Sequence, residues 1–397
     1  MKYLNPVVKY INRKTGVVSS RIHEVIRDND VVTINTDPKL SHKRKKGQNL
    51  FGDGNSNFFK EIGLLNYKKY IDGVLPGVCK TYNKIEQIGY EKYLTKILDI
   101  LEESIIHFWD SSKYNIVLHT SGYDSRVLSA ILKKIYQERG DVWLGKIFFA
   151  CWGPEGELFK DIFKYEGWED DTLLLIDRTG DDYYSFSNLN FQKISSVVNG
   201  VNSVMSNKML YIQDRVVNNI SINKNIDKKN IVFWSAGFFN EIFEWFMPRS
   251  RKQNRQIVDV FLEQAYGSLY SQMLGTLEYP IIYPLLTDEM FRFLTQSFSK
   301  YSENNIREDI VKKLDYKLFS DFKRMDDRLT TARLLDKKIS KYIYDTYNNS
   351  WYCKKVKPRG IIKPPSKIYN NRLTWYNWTA SSLLRYMISK KCKIFIK

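Results

Sequence analysis

The chain has 397 residues, 43% of them hydrophobic and 27% charged, and 62 Lys+Arg against 44 Asp+Glu give a net charge of +18. That length exceeds one small core and predicts one large domain with smaller companions, at the hydrophobic content of an ordinary globular protein. Four cysteines (Cys79, Cys151, Cys353, Cys392) without a CxxC pair and only four histidines argue against a disulfide framework and a zinc site, and no run is long enough to span a membrane. The first residues hold no signal-peptide core, so a cytoplasmic, reduced protein with no membrane contact is expected, of unknown oligomeric state. The basic balance favours polyanionic partners, among them nucleotides and nucleic acid; AT-rich codon usage would explain part of the same excess.

In chain order, residues 1–90 read as a small β-rich region. Val7 to Tyr10 and Val17 to Ser20 flank Arg13-Lys14-Thr15-Gly16, a hairpin turn. Asp28-Asn29-Asp30 is a second turn, followed by the strand-like VVTI at 31–34. The run His42 to Lys46 is the densest cluster of positive charge, and a solvated loop is its plainest reading. Residues 93–109 have the spacing of an amphipathic helix.

The stretch 115–136, NIVLHTSGYDSRVLSAILKKIY, organises the rest of the chain. An apolar run ends at His119, a small polar loop spans Thr120 to Tyr123, and apolar residues at 127, 128, 131, 132 and 135 mark one helical stripe. Strand, tight loop and helix N-terminus in that order can hold phosphate on backbone N–H groups at the positive end of a helix dipole. Gly122 permits close approach of an anion. Asp124 would repel phosphate unless a cation such as Mg²⁺ lay between them. The same residues also suit plain N-cap chemistry.

Farther on, KIFFACW at 146–152 and the apolar run 172–176 read as strands with a helix at 158–165 between them. Residues 181–230 are polar and irregular, with helices expected at 193–207 and 213–219. A strand at 231–234 leads into Ser235-Ala236-Gly237-Phe238-Phe239-Asn240-Glu241-Ile242-Phe243. Residues 249–397 read as largely helical. A basic, Pro-rich connector lies at 354–367, and Trp375, Tyr376 and Trp378 lead into a short amphipathic helix with Lys390, Lys391 and Lys393 near its end. Alternating strands and helices predict an α/β fold with a doubly wound parallel sheet, whose ligand lies beyond the carboxyl ends of the strands.

Two segments carry a resemblance. Thr120-Ser121-Gly122-Tyr123-Asp124-Ser125 resembles the SGGxDS pyrophosphate loop of the ATP pyrophosphatases, in the form found in asparagine synthetase-like synthetase domains. Thr120 replaces the Ser and Ser121 the first Gly, so a left-handed backbone would suit Ser121 less well. Ser235 to Phe243 resembles that family's SGxGxDExF, with Ser235, Glu241 and Phe243 matching and Ala236, Phe238 and Asn240 departing. The resemblance covers roughly residues 75–330. It implies an adenine nucleotide α-hydrolase-like sheet at 91–350, with an appended helical layer and a C-terminal extension at 351–397.

By the same resemblance, Leu118, Thr120, Ser121, Gly122, Tyr123, Asp124, Ser125, Cys151, Ser235 and Ala236 would contact ATP. Asp124 and Asn240 would hold Mg²⁺, and Glu241 would lie beside the metal or pyrophosphate. A basic helix would meet the α-phosphate, with Arg307, Lys312 and Lys313 all candidates. The implied reaction is an amide ligation in which a carboxylate attacks the α-phosphate of ATP, pyrophosphate leaves, and ammonia or another amine takes the acyl group. The family's glutaminase cysteine directly after Met1 is absent, since Lys2 stands there, so residues 1–90 are expected to lack glutaminase activity. Two alternatives remain: a nucleic-acid-modifying enzyme of the same superfamily, and a catalytically impaired nucleotide-binding protein.

Overall fold

The computed structural model describes residues 9–34, 59–64, 88–119, 121–152, 155–176, 230–239, 241–253, 257, 260–261, 279–296, 301, 303–322, 387–388 and 390–396. The basic run at 42–46, the helices expected at 193–207 and 213–219, the connector at 354–367, Trp375 to Trp378, and the single residues Thr120 and Asn240 lie outside them.

Among the described residues the central sheet has five parallel strands: β5 (Tyr114–Leu118), β6 (Lys146–Trp152), β7 (Leu173–Ile176), β8 (Ile231–Ser235) and β9 (Ile281–Ile282). Their spatial order is β7-β6-β5-β8-β9, and every neighbouring pair is parallel. The chain thus steps outward from β5 to β7, then returns to the other side of β5 for β8. That reversal is a topological switch point, where the loops after β5 and β8 part and leave a crevice. The apolar runs IVL in β5 and IVFW in β8 are buried throughout, as strands covered on both faces must be.

Helix α2 (Tyr90–Phe108) precedes β5, and α3 (Tyr123–Arg139) and α4 (Asp141–Leu144) come after it. Helix α5 (Glu155–Glu166) joins β6 to β7. After β8 come a wide π-type turn, Glu241–Phe246, and α6 (Met247–Gln253). Helices α7 (Asp288–Gln296), α8 (Ile306–Leu314) and α9 (Tyr316–Ser320) complete this part. Tyr93, Leu94, Ile97, Leu101 and Ile105 form the buried face of α2, in the spacing the sequence shows. Tyr90 donates to Asp309 at 2.7 Å and Lys313 to Glu91 at 2.8 Å, fixing α8 against α2.

Nearer the N-terminus, β1 (Tyr10–Asn12), β2 (Val18–Ser19) and β4 (Ile62–Leu64) form an antiparallel sheet in the order β2-β1-β4. The hairpin turns on Gly16 at φ +72°, a left-handed position that glycine takes without a clash. The buried Asn12 side chain accepts from the N–H groups of Lys14 and Thr15. A short helix, α1 (Ile22–Val25), comes next, and then β3 (Val31–Ile34).

Contrary to the expectation from sequence, Lys393 does not end a helix. Lys393–Ile396 is a strand, β10, that pairs in parallel with β3 from Lys393↔Val31 to Ile396↔Ile34. Of the described residues just before it, Met387 and Ile388 are helical, and Lys390 and Lys391 form a turn. Residues Lys393 to Phe395 alternate exposed, half-buried, exposed, the period of a strand with one covered face.

Candidate functional site

The register brings the predicted residues to one edge. Leu118 pairs with Ala150 of β6 on one side and with Ser235 of β8 on the other. Cys151, one residue beyond, is fully buried and pairs with Leu175. The carboxyl ends of β5, β6 and β8 therefore carry Leu118, Cys151, Ser235 and Ala236 side by side, at the mouth of the switch-point crevice. Ser235 Oγ accepts from the Gly237 N–H at 3.0 Å, closing a tight turn directly after β8.

On the β5 side, Ser121 stands at φ +54°, while Gly122 is extended at φ −69° and serves as the N-cap of α3. The left-handed residue among those described in this loop is thus Ser121, at the position where the resembled motif has glycine. After β8 the pattern repeats: Phe238, where the resembled motif also has glycine, has φ +76°. Each left-handed non-glycine costs about 1–2 kcal/mol. Such residues persist only where their surroundings over-determine them. The Phe238 ring is buried edge-on against Tyr283 and Phe261.

Among the described residues no side chain caps α3, a helix of 17 residues. Tyr123, Asp124 and Ser125 form its first turn. The Tyr123 ring lies 5.4 Å from that of Phe319, with the Arg126 and Arg307 guanidinium groups 5.1 and 6.0 Å from its centre. Such cation–ring contacts fix both arginines at the helix start.

The three basic candidates part company here. Arg307 reaches Asp124 at 3.6 Å and Glu244 at 2.6 Å, with only 11% of its side chain exposed. Its Nε–H is buried and makes no hydrogen bond to any described residue. Lys312 pairs instead with Asp309 at 3.2 Å and lies 4.4 Å over the Phe319 ring, and Lys313 pairs with Glu91. The helix explains the division. Ile306, Ile310 and Val311 face inward, and Arg307 lies one turn before Val311 on that same side.

Glu241 opens the π-type turn after β8 and completes the acidic side. Burial, and after it the charge of Asp124, push its carboxyl up to about 7, against the pull of its own backbone N–H and of Arg307. Tyr283, in the segment after β9, is buried, and its hydroxyl finds no hydrogen-bond partner among the described residues. Its pKa is raised by burial and by the charge of Glu241. Two carboxylates, an arginine and a phenol thus gather at the crevice, the last two each with a polar atom that has no hydrogen-bond partner among the described residues.

Behind the loop lies a polar chain that the sequence did not announce. The Ser121 N–H donates to His119 Nδ1 at 3.0 Å, and His119 Nε2 meets Ser129 Oγ at 3.3 Å. Ser129 Oγ donates to Glu166 at 2.7 Å, and Trp168 Nε1 donates to the other oxygen of Glu166 at 2.9 Å. Arg126, fully buried, donates from Nε to the Ser121 carbonyl at 2.8 Å and from a terminal nitrogen to the Leu318 carbonyl. Burial and the nearby Arg126 charge press His119 down to about 3, and burial pushes Glu166 up to about 7.

The two shifts have opposite consequences. His119 stays neutral in the fold while the unfolded chain takes a proton below about pH 6.5, so its contribution is lost as pH falls from there. Glu166 is held protonated up to about 7, so its contribution is largest below pH 4.5 and is lost as pH rises to 7. Between pH 8 and 5 each is on the order of 2 kcal/mol, and they oppose each other. His119→Asn removes one of them. Urea unfolding at pH 8 and pH 5 should show the variant gaining about 2 kcal/mol on wild type at the lower pH; an unchanged difference would mean His119 is not held neutral.

No family model matches this chain, and no curated protein matches it. Among solved structures, the U34-tRNA thiolase NcsA from Methanococcus maripaludis, with its 4Fe-4S cluster, is similar over 61% of this chain and 80% of its own, at 12% identity and a TM-score of 0.28. At that score the likeness carries no argument, and the function of the site rests on its own geometry. No described helix is long and apolar enough to cross a membrane.

Proposed function

We propose that the crevice between β5 and β8 binds ATP with Mg²⁺ and adenylates a carboxylate for transfer to ammonia or another amine. The carboxylate oxygen attacks the α-phosphorus, the bond to the β-phosphate breaks, and pyrophosphate leaves. The amine nitrogen then attacks the acyl carbon, and AMP departs. One observation carries this reading. At a topological switch point, a helix N-terminus that no described side chain caps and a buried Arg307 whose Nε–H meets no described acceptor lie beside the carboxylates Asp124 and Glu241. Donors for an anion and ligands for a cation in one crevice suit a metal-bound polyphosphate better than either ion alone.

The residues fit Mg²⁺. Among the described residues no group of three or more His, Cys, Asp or Glu side chains converges on one point. Mg²⁺ needs no such cage: one or two carboxylates and substrate phosphates suffice. Asp124 and Glu241 would supply the carboxylates, and Mg²⁺ when bound would take up charge on the leaving pyrophosphate. Arg307 would hold the phosphates by charge-assisted hydrogen bonds. Leu118, Cys151, Ser235 and Ala236 would line the adenosine end, and Ser121 and Gly122 the phosphate turn.

ATP–pyrophosphate exchange, screened against amino acids and other small carboxylates, tests the proposal. Exchange dependent on one class of carboxylate is expected. ATP binding with no exchange across the panel would instead favour a nucleotide-binding protein without catalysis. A second reading, modification of tRNA or DNA, is favoured by the +18 charge. It requires salt-dependent nucleic-acid binding that weakens when His42 to Lys46 are neutralised.

Asn240 bears on the metal. Asparagine keeps one acceptor oxygen of aspartate and loses the charge, so a hard cation is held less well. Asn240→Asp should lower the Mg²⁺ concentration needed for half-maximal pyrophosphate release. Identical metal titrations of the two proteins would leave Asn240 as a helix cap.

A further inference from the structure

Ser121 is held from both ends by groups that solvent does not reach. Its N–H donates to His119 Nδ1 at 3.0 Å, and its carbonyl accepts from Arg126 Nε at 2.8 Å. His119 and Arg126 are both fully buried. Neither contact is an accident of the strand or the helix. The first comes from the residue that ends the β5 run, the second from the first buried turn of α3, and they converge on the one described loop residue with a left-handed backbone.

The chemistry of the imidazole is fixed by its partners. A neutral histidine has one donor nitrogen and one acceptor nitrogen. Nδ1 accepts from Ser121, so the proton sits on Nε2, facing Ser129 Oγ at 3.3 Å. The Ser129 hydroxyl can direct its own proton to Glu166 at 2.7 Å or to the Arg126 carbonyl at 3.3 Å, and in either case has a lone pair to accept with. The ring is stacked on Phe159, with centroids 4.1 Å apart and planes 26° from parallel. Tautomer, ring plane and position are all determined from behind the loop. On the other arm, Arg126 ties the same residue to the Leu318 carbonyl in α9.

We propose that His119 is a positioning residue: as the Nε2–H tautomer, and together with Arg126, it clamps Ser121 in the left-handed turn that shapes the loop for phosphate. The inference rests on the proposed nucleotide-binding role of the crevice. The clamp takes the place of a glycine, which would adopt the same turn unaided. It leaves the loop rigid before any ligand arrives, so the loss of His119 should appear in binding before it appears in chemistry.

Three replacements separate this role from mere packing. Asparagine can present its carbonyl oxygen where Nδ1 lies, and should keep the contact to Ser121. Glutamine reaches toward the Nε2 position instead and should keep only the contact to Ser129. Leucine keeps neither. With ATP as the probe, His119→Gln and His119→Leu should raise KM roughly tenfold, the effect of one lost buried hydrogen bond, with a smaller change in kcat. His119→Asn should stay within about threefold of wild type. Ser121→Gly, added to His119→Leu, should recover much of the loss. Equal defects in all three variants, or no recovery by glycine, would overturn the proposal and leave His119 a packing residue.

A second measurement needs no activity at all. In the ¹⁵N-labelled, ligand-free protein, the Ser121 amide should exchange slowly in wild type and His119→Asn, and faster in His119→Gln and His119→Leu. The His119 ring should show Nε2 protonated and Nδ1 bare. A protonated Nδ1, or a Ser121 amide equally fast in all four proteins, would overturn the clamp even if ATP were bound. Slow exchange with this pattern, alongside a failure of pyrophosphate release, would uphold the clamp and remove only the proposed reaction.

Discussion

Asp124→Ala should lower ATP-dependent pyrophosphate release by at least about a hundredfold and leave the protein folded, as loss of a preorganised electrostatic partner does. The carboxylate is a quarter exposed, and its ion pair with Arg307 spans 3.6 Å. A long, partly solvated pair of this kind contributes at most about 1 kcal/mol to stability. Its value lies in position. It sits in the first turn of α3, beside Glu241, where the proposed Mg²⁺ would meet two carboxyl groups. The same replacement should lower the Glu241 pKa, because the Asp124 charge is one of the causes that raise it. Pyrophosphate release at the normal rate in Asp124→Ala would remove the assignment of the crevice as an ATP site.

The second large effect is expected at Arg307. Arg307→Ala should reduce kcat/KM for ATP by about a hundredfold, and Lys312→Ala and Lys313→Ala should each stay within about threefold. Arg307→Lys should fall between these limits, since an ammonium keeps the charge and loses the planar fork. Arg307 is also the cation beside three carboxylates, Asp124, Glu241 and Glu244. Its removal should therefore destabilise the fold near pH 8 more than near pH 5, where Glu241 is protonated. Thermal melts at the two pH values check this independently of catalysis. Equal losses at Arg307 and Lys312 would mean that α8 acts only as a diffuse positive field.

The strands of the parallel sheet are legible in the sequence because fully buried strands read as apolar runs, as IVFW in β8 does. The loop before α3 is legible from its small residues and from the stripe at 127, 128, 131, 132 and 135, all buried in the fold. The choice among Arg307, Lys312 and Lys313 is not. It depends on which side of α8 faces α3, and a stripe as short as Ile306, Ile310 and Val311 leaves that open until the helix is packed. His119 and Arg126 give no signal at all. One looks like the end of a strand and the other like a solvated helix residue. Their places in the fold are set by hydrogen bonds to Ser121, Ser129 and the Leu318 carbonyl, and no periodicity encodes those. Glu166 is harder still, because its partner Ser129 lies 37 positions away. The strand β10 escapes for a related reason: its pairing partner, β3, lies far away in sequence.

That last pairing has a consequence for synthesis. Val31 and its partner Lys393 are roughly 360 positions apart, so at about 5–20 residues per second a ribosome delivers β10 tens of seconds after β3. Throughout that interval, the nascent β3 carries an open edge on the side that β10 will cover, and such an edge is a template for the wrong strand. Ile34 and Val32, both fully buried in the finished fold, are then the residues most in need of temporary cover. Closure of the β3 edge is thus expected to wait for β10, and slowed translation of the codons between the two strands should lengthen that wait.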